Sequence, residues 1–413
     1  MARLSKELLE VLAVATVIFS FNVWEHLPIM EPHHYSDVVG VFYREGIGTG
    51  SPPHLLPYYH YIFEYPVVVG LLVYISSYTV LFTEDFFTAL HYYTLIMDAF
   101  LYVFTIGTVA ILYRLCRLFS IDRQRIMKFF MIMPTFWMFT VYNWDMIAVF
   151  FTLLSLYLFL TDRRLGSAFS LGLGISTKLY PGILLPLYLL EIKSWKQRSK
   201  YFIATFAPFL ALNLPFMIFN FENWYGTWEW HANWPIEDSW LIYFFDSMDP
   251  RARYVSIGLM LTMICLTLYS LRKKVYQSRS QRIIGGCMLM SISWLFGNYV
   301  VPPQMALLIL PFYVLVPSTP LLPALMADIF NGLIIALWFT SRLYWIEPIL
   351  PQSPVQAFAT LRQLLWLSFF VYSLSQVQID RILCAARRRL PRWMHRRSCV
   401  QRNQTPQCRE QRI

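Results

Sequence analysis

Lys178 stands in the run Ser176-Thr177-Lys178-Leu179-Tyr180-Pro181, between two apolar stretches that are each short for a membrane crossing. A lysine near the centre of a bilayer costs roughly 2.5–3.5 kcal/mol, so such residues usually face a polar cavity or a ligand. Lys178 is a site candidate on that ground alone, and its ammonium suits an anion. Acidic side chains gather elsewhere: residues 24–92 hold Glu25, Glu31, Asp37, Glu45, Glu64, Glu84 and Asp85, with Arg44 as their only Lys or Arg. Imidazole and carboxylate together in Glu31, His33, His34 and Asp37 suit a divalent ion, but their spacing is that of no strong metal motif. The reading therefore assigns no metal and no other cofactor, with a divalent ion at these residues kept as the minor alternative.

The elements that must position these residues are membrane helices. Of 413 residues, 57% are hydrophobic, 18% aromatic and only 14% charged, more apolar surface than a soluble domain can hide. Hydrophobic runs recur from Leu8 to Val377 with no long linker between them. This predicts an all-α, multi-pass membrane domain over residues 1–380, followed by a basic tail, 381–413.

About twelve crossings fit, at 8–24, 93–113, 126–142, 146–160, 166–177, 181–192, 201–219, 254–271, 283–300, 304–317, 321–340 and 357–377. Several fall short of the roughly 20 residues a crossing needs, and short or broken helices commonly line polar cavities. The stretch from Tyr65 to Phe82 is read as lying in the outer interface, because a crossing there would invert the basic residues that follow.

The net charge of +10 does not point to nucleic acid, because the basic residues fall in short clusters between the apolar runs. These are Arg114, Arg117, Arg123 and Arg125; Arg163 and Arg164; Lys193, Lys196, Arg198 and Lys200; Arg272, Lys273, Lys274, Arg279 and Arg282; and Arg387 to Arg389. They mark the cytoplasmic face and put both termini there. The acidic loop then lies outside, as does a second large loop, about 220–253, carrying Trp224, Trp228, Trp230, Trp234 and Trp240. Chemistry belongs on that outer face. Cys116, Cys265 and Cys287 sit in or beside spans and Cys384, Cys399 and Cys408 in the tail, so neither a disulfide framework nor a zinc site is expected.

Five short motifs follow in order along the outer face: Tyr35-Ser36-Asp37, Phe63-Glu64-Tyr65-Pro66, Asn143-Trp144-Asp145, Lys178-Leu179-Tyr180-Pro181 and Pro302-Pro303-Gln304. In this order the chain, over roughly 8–315, resembles the C-type membrane glycosyltransferases. It is most similar to glycosyltransferase family 87, the polyprenyl-phosphate-mannose-dependent mannosyltransferases. Val67 stands where these families often have a second proline, and Asp37 lacks the neighbouring acid of the enzymes that build glycosylphosphatidylinositol anchors.

The resemblance implies a C-type glycosyltransferase fold and an inverting transfer of a hexose, first of all mannose, from a polyprenyl phosphate to a lipid-linked or cell-surface glycan. It places the catalytic base at Asp37, which would take the acceptor hydroxyl's proton. The phosphate leaves as a stable anion, so no second carboxylic acid is required, in contrast to a glycosidase. Lys178 and Tyr180, with His231, Arg251 and Arg253, are candidates to meet the donor phosphate. Glu64, Asp145 and Gln304 are candidates for acceptor hydroxyls. Asp98, inside an apolar run, is expected to pair with another group such as Lys178 or to line the cavity. The membrane is the cell membrane, or the endoplasmic reticulum in a eukaryote.

Each of these residues also has an ordinary reading: Asp37 as a helix start, Lys178 snorkelling from a helix end, Arg251 and Arg253 paired with Asp246 and Asp249. Two other functions stay open: a transporter or lipid flippase, which broken helices around a lysine also fit, and a non-catalytic subunit of a transferase complex.

Overall fold

The computed structural model describes residues 6–28, 34–47, 55–273, 278–341 and 345–389. Glu31, His33, Lys274 and the tail from 390, with Cys399 and Cys408, lie outside the described residues. Among the described residues the regular structure is helical, and the only extended pairings are isolated bridges at Pro57–Tyr61 and Glu237–Val300. The helices in the first half are α1 (Lys6–His26), α2 (Asp37–Arg44), α3 (Val67–Ser77), α4 (Phe86–Leu118), α5 (Gln124–Ile126), α6 (Pro134–Phe139), α7 (Asp145–Leu160) and α8 (Arg164–Thr177). Those in the second half are α9 (Leu185–Glu191), α10 (Trp195–Phe219), α11 (Phe221–Ala232), α12 (Pro250–Lys273), α13 (Arg279–Gly297), α14 (Leu310–Leu315), α15 (Leu321–Phe339) and α16 (Pro354–Arg389).

Six described helices, α1, α4, α10, α12, α15 and α16, are long and apolar enough to cross a membrane, where the sequence suggested about twelve crossings. Several of the other expected crossings fold as short or broken helices, and proline explains most of the breaks. The stretch 126–142 is not one helix: a π-helical turn at Met127–Met131 is followed by Met133, whose backbone is extended ahead of Pro134, the conformation a residue preceding proline favours. The stretch 181–192 divides into a 3-10 turn, Tyr180–Leu184, and α9, and 304–317 into a 3-10 turn, Pro303–Leu308, and α14. In the stretch from Tyr65 to Phe82, helix α3 and the 3-10 turn Tyr78–Leu81 together take up Val67 to Leu81; at roughly 1.5 Å per residue they fall short of the ~30 Å hydrocarbon core.

Two close packings hold the broken elements in place. Helices α7 and α8 form a hairpin turned at Asp162, and α8 lies against α10. At Gly172 that contact is so close that a Cβ would sit 2.0 Å from the Thr205 carbonyl oxygen. Helices α15 and α16 form a second hairpin, and from α16 the fully buried Arg362 donates Nη1 to Asn331 Oδ1 at 2.6 Å and Nη2 to the carbonyls of Asp238 (3.0 Å) and Val301 (2.8 Å). Asn331 in turn donates to the Pro303 carbonyl and to Thr135 Oγ1, and Asp328 accepts from the Thr135 amide and hydroxyl. A buried polar network thus ties two loops near Asp238 and Pro303 to α6, α15 and α16.

Candidate active site

Asp37 is the first residue of α2. Ser36 caps the helix, its Oγ accepting from the Val39 amide, while the Asp37 amide donates to the Tyr142 carbonyl at 2.9 Å. The α2 start is thereby fixed against the turn between α6 and α7. Three side chains converge on the carboxylate: Tyr35 Oη donates to Oδ1 at 3.1 Å, Tyr65 Oη to Oδ2 at 3.4 Å, and Asn143 Nδ2 to Oδ2. Burial pushes the Asp37 carboxyl up to about 6; the Lys178 charge and the Asn143 hydrogen bond pull the other way and offset part of it.

Lys178 follows α8 in extended backbone, where the helix is cut short ahead of Pro181. Its Nζ donates to Asp145 Oδ2 at 2.8 Å and lies 5.5 Å from the centre of the Tyr65 ring. Asp145, at the start of α7, is wholly buried, and the Tyr180 hydroxyl donates to its backbone carbonyl at 3.1 Å. Tyr180 is therefore turned away from any ligand and braces the residue that holds Lys178.

These residues border a cavity of about 310 Å³ lined by Asp37, Glu64, Tyr65, Asn143, Lys178, His231, Gln304 and Glu237, among others. Arg44, also on its wall, donates to Glu64 Oε1 at 2.8 Å. Across the cavity, Ile334, Ile335, Trp338 and Phe339 of α15 form an apolar wall. Glu237 accepts from Trp234 Nε1 and is held by the bridge to Val300. Burial is the main cause that raises its carboxyl, to about 7, with the charges of Asp37 and Glu64 adding to it. Among the described residues no grouping of three or more His, Cys, Asp or Glu is placed to hold a metal ion.

Of the residues singled out in the sequence, Asp37, Lys178, Glu64, His231 and Gln304 meet on this cavity. Asp145 and Tyr180 stand behind it. Arg251 is exposed and paired with Asp249 at 2.6 Å, and Arg253 reaches Asn233 at 3.4 Å; neither lines the cavity, because both open α12 beyond the loop. Asp98 neither pairs with Lys178, which Asp145 engages, nor reaches the cavity: its Oδ1 is buried on α4 with no hydrogen-bond partner. Sequence reasoning passed over Glu237 and Asp238. It also gave no role to Arg44, although an only base in an acidic loop was a usable signal.

The glycosyltransferase family 87 model matches residues 63–291. The chain belongs to glycosyltransferase family 87. The match takes in Glu64, Asp145, Lys178, His231 and Glu237, while Asp37 and Gln304 lie on either side of it. No curated protein matches the chain in sequence. Membership makes this a glycosyltransferase, and with six membrane-length helices among its described residues it is an integral membrane protein of family 87.

Proposed function

We propose that this family 87 protein transfers a hexose, with mannose the first candidate, from a polyprenyl phosphate to a hydroxyl of a lipid-linked or cell-surface glycan, inverting the sugar carbon and using Asp37 as general base. The observation that carries the reading is the Asp37 carboxylate on the cavity wall, held by three donors and raised to about 6 within reach of the Lys178 charge. A base titrating just below neutral pH is ionised in the cell and still basic enough to accept a hydroxyl proton.

In the proposed step the acceptor oxygen bonds to the sugar's anomeric carbon as the bond from that carbon to the phosphate oxygen breaks. The hydroxyl proton passes to Asp37, and the electron pair leaves with the phosphate. Lys178 meets the growing negative charge there, fixed in place beforehand by Asp145. Glu64 and Gln304 face the acceptor hydroxyls, and the α15 wall of Ile334, Ile335, Trp338 and Phe339 takes the first isoprene units. The cavity opens on the outer or lumenal face, with both termini cytoplasmic and residues 1–380 forming the membrane domain.

The test supplies purified protein in detergent with a crude glycolipid acceptor and radiolabelled mannose, carried either by polyprenyl phosphate or by a nucleotide. The proposal expects transfer from the lipid donor alone. Transfer from the nucleotide sugar alone, or from neither, contradicts it.

A further inference from the structure

A second and larger hollow, about 810 Å³, lies at the opposite end of the bundle. Helix α10 runs from Trp195 to Phe219, and at its far end Asn220 and Asn223 donate to the Tyr59 carbonyl in the loops beside the cavity described above. Its first turn therefore lies about 37 Å away at 1.5 Å per residue. Here α10 packs on α8 and α12 packs on α13, and the gap between α10 and α12 is floored by Pro186, Leu189 and Leu190 from α9. Only 22% of the apolar stretch of either span is buried inside the protein, so the groove opens sideways onto lipid.

Two features distinguish this groove from ordinary lipid-facing surface. The first is its rim: Arg198 and Arg272 stand on either side of it with Ser199, and no Asp or Glu lines it. The second is that these arginines are not neutralised: among the described residues neither makes an ion pair, and the nearby Glu191 is buried and engaged by Arg282 at 2.7 Å and 2.8 Å. Arg198 donates Nε to the Ile192 carbonyl at 2.6 Å, which fixes its guanidinium in place. Exposed Trp195, on the same rim, suits the headgroup level of a bilayer.

We infer that the α9–α10–α12 groove is a binding site for an anionic phospholipid, with its phosphate between Arg198 and Arg272 and an acyl chain along Pro186, Leu189, Leu190, Phe202 and Leu268. Basic pockets between membrane helices on the cytoplasmic side recognise acidic headgroups in this way. The acyl chain supplies contact, and the arginine pair supplies selection against zwitterionic lipid, whose ammonium finds no carboxylate in the groove. The site is separate from the sugar-transfer cavity and does not depend on the donor proposed for it.

Native mass spectrometry of the full chain, released from detergent after titration with phosphatidylglycerol or phosphatidylcholine, tests the site. Phosphatidylglycerol should bind more tightly, and Arg198→Gln with Arg272→Gln should weaken it about 25-fold, roughly fivefold for each basic residue. Cys265→Trp, which fills the groove and leaves both arginines in place, should weaken it as well, so the test survives a double variant that fails to fold. Glycerophosphate, a headgroup without chains, should not compete. Equal binding of the two lipids, unchanged affinity in the folded variants, or competition by glycerophosphate as strong as that by lipid would each overturn the assignment.

Discussion

Lys178 Nζ lies 2.8 Å from Asp145 Oδ2, and both side chains are largely shut away from solvent, 10% and 0% exposed. This pair answers how a lysine survives between two short apolar stretches: it carries its own counter-charge, supplied by the first turn of α7 across the break that ends α8. It also fixes the ammonium so that it lines the cavity without searching for a partner. Breaking a buried pair from one side leaves an uncompensated charge and costs about 3–5 kcal/mol. Lys178→Met and Asp145→Asn should therefore each lower the thermal midpoint in detergent strongly, and the double variant should be less destabilised than the sum of the two. Additive losses in that cycle would show that the pair contributes no coupling.

The raised Asp37 carboxyl has a stability consequence with a definite sign. A carboxyl whose folded pKa lies above its ordinary value favours the folded state while it is protonated. That contribution is complete below about pH 4, the usual Asp range, and is lost as pH rises through about 6. Asp37→Asn, neutral throughout, should then have a higher thermal midpoint than the wild type at pH 8 and no advantage at pH 4. Unfolding scans at the two pH values check this, and a midpoint unchanged or lower at pH 8 contradicts it.

How much of this was legible in the sequence depended on whether a residue's type was odd where it stood. Lys178 was, since a charge between short apolar stretches has few explanations, and several expected crossings were visibly short of the roughly 20 residues a crossing needs; the break ahead of Pro134 was not read, because the apolar run 126–142 continues through the proline. Glu237 was not, because Trp234-Pro235-Ile236-Glu237 reads as an ordinary loop until the bridge to Val300 brings it to the cavity. Asp98 misled in the opposite way: it was odd in an apolar run, but it neither pairs with Lys178 nor lines the cavity, and its Oδ1 is buried without a partner. Tyr180 fell in the right motif with its side chain on the buried side.

Arg362 lies beyond the family match, yet it binds the loops that carry Asp238 and Val301. Arg362→Met would leave both carbonyls and Asn331 Oδ1 short of a donor in a buried setting, at about 1–3 kcal/mol for each group left unsatisfied. The expected outcome is a large loss of thermal stability together with faster proteolysis of the loop around Asp238. Arg362→Lys should recover only part of this, because an ammonium cannot match the planar fork. Wild-type stability in Arg362→Met would contradict the role.

Gly172→Ala should be disruptive although it adds one methyl, because the new Cβ meets the Thr205 carbonyl at 2.0 Å and Pro208 Cγ at 2.5 Å. Backbone cannot step aside as a side chain can, so α8 must move from α10 and carry Lys178 with it. Overpacking of this kind costs about 1–3 kcal/mol. A thermal midpoint within a degree of the wild type would show that the two helices are not so closely apposed.

The most direct test of the central claim is the pH dependence of single-turnover sugar transfer from polyprenyl-phosphate-mannose by wild type and Asp37→Asn, with donor binding measured in parallel. A general base at Asp37 predicts a wild-type rate that rises with pH and levels off above about 6. The variant should bind the donor with little change and transfer at least about 100-fold more slowly. Equal rates in the two proteins, with the same acid limb, would remove Asp37 from the chemistry.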